Sequence, residues 1–220
     1  MGWIDTLAAN LLASSAGLLL ILALLMAATT RARTCILLFG LQSAVIAAQI
    51  AALARLHHFA EGWAVAALVV LVKVIAIPWV LLRITAALQT TPIAAAAIGP
   101  TASVFVGSGL ILLSFDVVRP YVAELGVDPA RLAAAVAVVL IGGLLMVTRR
   151  KALMQVVGLL VLENGIFLAA LTTTLGMPLV VEIGISFDLM MWVFLMGLFV
   201  FRIRDTFDHV DVSRLRRLRG

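Results

Sequence analysis

The sequence predicts an all-α, polytopic transmembrane helix bundle of about seven spans, with the N-terminus outside and the C-terminus cytoplasmic. Three observations predict it. Of 220 residues, 64% are hydrophobic and 12% are charged, too little polar surface for a soluble domain. Seven apolar runs reach the roughly 17–25 residues that cross a hydrocarbon core. The basic residues gather on one side when those runs are threaded in order.

The runs lie at Leu7–Thr29, Cys35–Leu53, Gly62–Leu82, Thr101–Val118, Pro129–Val147, Ala152–Thr174 and Pro178–Phe201. Each must be helical, because lipid offers no partner to backbone N–H and C=O groups. Threading puts Arg31, Arg33, Arg83, Arg149, Arg150, Lys151 and the six arginines of 202–220 on one side. The other side receives Arg55, Arg119 and Arg131, and Lys73 falls inside a run. That asymmetry assigns the arginine-rich side to the cytoplasm. The fourth run is the most polar, with Ser103, Gly107, Ser108, Gly109 and Ser114, small residues that let helices approach closely. Before it, Pro92 to Pro100 is alanine-rich and uncharged, and is read as a loop, a re-entrant piece or a helical extension.

The charge of +5 comes from these flanking residues, so it gives no reason to expect nucleic acid. The single cysteine, Cys35, allows no intramolecular disulfide and no cysteine-based metal site. His57 and His58 are adjacent in a loop, a weak metal signal. The start lacks the basic stretch of a cleaved signal peptide, and Met1-Gly2 with Thr6 fits a myristoylation pattern that an external N-terminus would make irrelevant. No phosphate loop, GxGxxG, CxxC or HExxH motif occurs, so no nucleotide or iron–sulfur cluster is expected on this chain.

Thr30-Arg31-Ala32-Arg33 precedes Gly40-Leu41 at the spacing by which Thr148-Arg149-Arg150-Lys151 precedes Gly158-Leu159. This faint repeat sets Val45 opposite Glu163, leaving the charge in the second half only.

Ionisable groups inside the runs carry the functional signal, since a charge at a helix centre costs about 2.5–3.5 kcal/mol on insertion scales. Lys73, Glu163, Glu182 and Asp188 stand out as proton-transfer candidates. Glu163 lies about 18 Å beyond Lys151 along a helix, near mid-membrane. Leu175-Gly176-Met177-Pro178 reads as a tight turn, which would bring Asp188 to a similar depth and Glu182 nearer the outer face. Burial raises a carboxyl pKa and a nearby cation lowers it, so Lys73 is the candidate partner that poises such a group. Asn164, Thr172, Thr173, Thr174 and Ser186 are the groups that could hold water between them. Asp116, near the end of its run, is expected to be interfacial. In the tail, Asp211 can cap a short helix with Val212, Leu215 and Leu218 on one side, suited to docking a cytoplasmic partner or, as the favoured reading, to lying on anionic headgroups.

The stretch from Thr148-Arg149-Arg150-Lys151 through Gly158-Leu159 to Glu163-Asn164-Gly165 resembles the second helix of the K subunit of bacterial complex I and of its Mrp antiporter counterpart. The run from Val181 to Asp188, and the tail with Arg204-Asp205-Thr206, Asp211-Val212-Ser213 and Arg219-Gly220, is similar to the hydrogenase-4 component E family. The match covers about residues 145–220, so the chain is read as a single membrane domain with K-subunit-like helices over 145–201 and a cytoplasmic basic tail over 202–220. One departure is visible. In K subunits the glutamate follows Gly-Leu directly, where Leu160 stands, and Glu163 is one turn further on nearly the same face.

The resemblance implies a non-catalytic subunit of a group 4 nickel–iron hydrogenase or formate hydrogenlyase-type complex. Its partners would be large antiporter-like subunits and an H-subunit-like membrane anchor, in the bacterial or archaeal cytoplasmic membrane. The nickel–iron centre and iron–sulfur clusters would belong to partner subunits, with no cofactor on this chain. Electron transfer there would drive movement of protons or sodium through buried carboxylates. A cation/proton antiporter assembly without redox partners and a structural scaffold are the alternatives.

Overall fold

The computed structural model describes residues 3–58, 60–87, 97–173 and Gly184. All regular structure among them is helical: α1 (Trp3–Ala28), α2 (Ala32–Leu56), α3 (Glu61–Val69), a π-helical segment (Val70–Ala76), α4 (Ile77–Ala87), α5 (Pro100–Leu125), α6 (Pro129–Thr148) and α7 (Ala152–Thr173). Among the described residues, six spans are long and apolar enough to cross a membrane, with α3, the π segment and α4 counting as one, Glu61–Ala86. The chain is a multi-pass membrane protein. Apart from Gly184, the seventh expected span, Pro178–Phe201, lies outside the described residues together with Glu182, Asp188, Ser186 and the basic tail. The fold below is that of the compact unit Met1–Val181.

Local chemistry sets the helix ends. The Asp128 carboxylate accepts from the Ala130 N–H at 3.0 Å and Pro129 fills the first helical position, so α6 starts there. Gly126 adopts φ 62°, the left-handed turn that ends α5. His58 takes φ 54° just past the end of α2. The fourth span runs beyond its expected end at Val118 as far as Leu125, because Pro120 is carried inside the helix. Proline there removes one hydrogen bond, to the carbonyl of Asp116, and the helix continues to the glycine stop.

The same chemistry explains the π segment. Pro78 has no N–H for the Val74 carbonyl and its ring crowds that oxygen, so the turn before it is forced wide. The Ile77 N–H reaches back to the Val72 carbonyl, a five-residue step. Lys73 sits in the middle of this segment.

Two hairpins form the core. α1 and α2 are joined by residues 29–31, and α6 and α7 by residues 149–151, which gives the faint repeat a structural counterpart. α6 meets α7 backbone to backbone. A Cβ on Gly142 would lie 2.5 Å from the Leu162 nitrogen, and one on Gly165 would lie 2.6 Å from the Val139 nitrogen. Glycine is the residue that permits such an approach. α1 also packs on α6 and α2 on α7, while α3, the π segment and α4 all pack on α2. α2 therefore packs on both the lysine-bearing segment and the glutamate-bearing helix.

Candidate functional site

Three helices bring polar groups to one depth. Lys73 is about 18 Å along from Glu61, Glu163 about 16 Å along α7, and Gln42 about 15 Å along α2, all near the middle of a roughly 30 Å core. The Lys73 Nζ lies 2.9 Å from Glu163 Oε1, with only 3% and 4% of the two side chains exposed. Lys73 also donates to Asn164 Oδ1 at 3.4 Å, and its Nζ stands 5.6 Å from the Phe167 ring centroid, within cation–π range.

Asn164 extends the pair into a network. Its Nδ2 donates to Gln42 Oε1 at 3.2 Å and to Ser43 Oγ at 3.1 Å. Gln42 Nε2 in turn donates to the Leu19 carbonyl of α1 at 3.5 Å. The partners fix the orientation of the Asn164 amide, because an ammonium can only donate and must meet the amide oxygen. Gln42, Ser43 and Asn164 are all buried. The network ties α1, α2, the π segment and α7 together around one ion pair.

Burial decides what the arrangement can do. Two opposite charges at this distance attract strongly in a medium of low dielectric, and each alone would be costly to keep there. A proton passing from Nζ to Oε1 turns the ionised pair into a neutral one without changing the net charge of the site. The wide π turn places the lysine where a tight α-helix would point it elsewhere, and such insertions occur often at functional positions.

Of the four candidates read from the sequence, Lys73 and Glu163 are brought together, and Glu182 and Asp188 lie outside the described residues. Asp116 is exposed on α5. Thr172 and Thr173 donate to the carbonyls of Leu168 and Ala169 in their own helix, at 2.8 and 3.0 Å, so their hydroxyls are already engaged. Gln42 and Ser43 were not legible as site residues. Their signal is two adjacent polar residues inside an apolar run, weaker than a charge but of the same kind.

Arg149 departs from its reading as a loop charge. It is 2% exposed, and its Nη2 donates to the carbonyls of Met26 at 3.3 Å and Ala27 at 2.9 Å, in the last turn of α1. Those carbonyls have no helical partner and carry the negative end of the helix dipole. Burial pushes the guanidinium below its usual pKa, with the nearby Cys35 thiol acting the other way. The carbonyl of Arg149 accepts from Gln155 Nε2 at 2.9 Å. This clamp locks the two hairpin connections at one end of the bundle.

Uncharacterized protein Rv0085 of Mycobacterium tuberculosis (strain ATCC 25618 / H37Rv) is 36% identical to this chain over 162 residues, 71% of the chain and 72% of that protein. Hydrogenase-4 component E of Escherichia coli (strain K12) is 34% identical over 124 residues, 56% of the chain and 57% of that protein. The protein of the same name in Shigella flexneri matches to the same extent. The chain thus spans little more than half the length of the component E proteins it matches. No family model matches the chain, and no solved structure matches it significantly.

Proposed function

From the premise that this chain belongs to the family of the mycobacterial protein Rv0085, we propose that it is a membrane subunit of a hydrogenase complex in which the Lys73–Glu163 pair handles protons. The similarity to hydrogenase-4 component E supports the setting, a multi-subunit complex in a membrane. The observation that carries the role is the buried ion pair at mid-span, 2.9 Å long and backed by Asn164, Gln42 and Ser43.

In this reading the complex is of the group 4 nickel–iron or formate hydrogenlyase type, and lies in the cytoplasmic membrane with the Arg149 end of the bundle on the cytoplasmic side. Partner subunits of antiporter-like and H-subunit-like kind flank the chain and hold the redox centres. Electron transfer in those partners shifts the charge near Glu163. The carboxylate then takes the lysine proton, or accepts one from a neighbouring group, and releases it when the charge returns. Glu182 and Asp188, which lie outside the described residues, stay as the further proton-transfer candidates of the sequence.

Purification in a gentle detergent with identification of co-eluting chains tests the setting. A nickel–iron hydrogenase large subunit in stoichiometric amount supports it. Recovery with large antiporter-like proteins and no redox subunit, or recovery alone, overturns it.

A further inference from the structure

We propose that the outward face of α5 is an interface between subunits, and that its occupant is a transmembrane helix of a different polypeptide, which presents a lysine or arginine to Asp116.

Pro120 is carried inside α5 and the helix runs on to Leu125, which places Asp116 deeper than the interfacial position expected of it. The span extends from Pro100 to Val122, so its middle falls at Ile111. Asp116 lies five residues past that point, about 7.5 Å, in a core whose half-thickness is about 15 Å. A carboxylate at such a depth belongs in the interior of a bundle or against a cation. Asp116 is instead exposed. It stands two residues from Ser114 and two from Val118, the buried positions on the opposite face of α5, where the helix packs on α1 and α6. Among the described residues no hydrogen bond or ion pair engages its carboxylate. Protonation would remove the charge and still leave both oxygens against acyl chains that offer no hydrogen bond. Arg119, one turn nearer the surface, has a stem long enough to lift its guanidinium to the headgroups, and the short side chain of Asp116 has not.

The surroundings fit a helix. Gly109 comes two turns before Asp116, about 10 Å, on the same stripe, and a Cβ built on it meets nothing within 4 Å. A glycine in that position lets a neighbouring backbone approach closely. Leu112 and Leu113 stand exposed between the two. Beside Asp116, a groove of about 540 Å³ lined by Leu112, Phe115, Arg119 and Pro129 has room for a long side chain. The exposed apolar residues alone would fit lipid equally well, and the carboxylate decides against it.

Charge also selects the occupant. The chain's own last apolar run, residues 178–201, contains no lysine, arginine or histidine. A second copy that offered the same face about a two-fold axis along the membrane normal would set Asp116 against Asp116 at one depth. A different membrane protein remains. The surface requires such a partner, but neither a hydrogenase nor a moving proton.

Photocross-linking in the native membrane tests it, with p-benzoyl-phenylalanine in place of Leu112 and Asp116 unaltered. The expected product joins this chain to a membrane span of another polypeptide that carries a lysine or arginine. A product with residues 178–201, with a second copy, with a span lacking a basic residue, or with lipid alone overturns the proposal. Asp116→Asn and Asp116→Glu then test the charge, in complexes purified in a gentle detergent. Asparagine is expected to lower recovery of the cross-linked partner on the order of tenfold, and glutamate to retain it. Unchanged recovery with asparagine, or equal loss with both, overturns the pairing. A basic-span partner that belongs to no redox complex would keep this surface and remove the hydrogenase setting. Cross-linking to lipid alone, in a complex that holds a nickel–iron large subunit, would do the reverse.

Discussion

Lys73 and Glu163 come from helices ninety residues apart in sequence and meet at 2.9 Å, in the middle of the bundle, with almost no exposed surface on either side chain. Neither residue is stable there alone. A lysine and a glutamate in adjoining spans each lower the cost of placing the other in the membrane.

Removing one charge should therefore hurt more than removing both. Lys73→Met leaves Glu163 without its cation and is expected to cost about 3–5 kcal/mol of stability. The double variant Lys73→Met with Glu163→Leu is expected to recover most of that loss. Thermal unfolding of the four members of this cycle in one detergent measures it. Equal, additive losses would mean that the two residues do not act as a pair.

Asn164 holds the lysine on one side and α2 on the other. Asn164→Asp turns its donor edge toward Gln42 and Ser43 into an acceptor and adds a carboxylate beside Glu163. A buried acceptor set against the Gln42 and Ser43 oxygens is expected to cost about 1–3 kcal/mol of stability. Thermal unfolding of the variant and the parent in one detergent measures it. An unchanged midpoint would contradict it.

The α6–α7 contact should tolerate no added methyl at its glycines. Gly165→Ala and Gly142→Ala meet backbone atoms and are each expected to destabilise by about 1–3 kcal/mol, and to separate Glu163 from Lys73. Gly143, one residue away, has open space around its Cα, so Gly143→Ala should be neutral or slightly stabilising. Thermal stability of the three variants separates them, and equal behaviour at 142 and 143 would argue against the close approach.

Arg149→Lys tests the clamp. A single ammonium cannot reproduce the guanidinium fork on the carbonyls of Met26 and Ala27, and about 1.5–3 kcal/mol should be lost. Protection of the 29–31 and 149–151 connections from hydrogen exchange should fall together. If only the second connection loosens, the arginine does not join the hairpins.

The spans were legible because their signal is one-dimensional. Length and apolarity place α1, α2, α6 and α7 within a few residues of the helices found, since lipid forces every backbone group to pair within its own segment. The fourth span, α5, ran on because a proline in a membrane helix forfeits a single bond and does not end it. Lys73 and Glu163 were legible one by one as costly charges. Their pairing depends on helix adjacency and on a π turn, and neither leaves a periodic trace in the sequence. Gln42 and Ser43 were hidden because an uncharged polar side chain in an apolar run carries a small penalty, whichever way it faces. Arg149 was hidden by the opposite effect. A basic residue beside a span has a topogenic role already, and nothing local to it reveals that α1 ends within its reach.

In the function proposed above, the buried carboxyl of Glu163 carries protons during turnover. The most direct measurement is the number of protons moved per electron by the purified complex in sealed vesicles, compared between the parent and Glu163→Gln. Glu163→Gln is expected to assemble, still transfer electrons and move fewer protons for each one. An assembled variant with an undiminished ratio would contradict it.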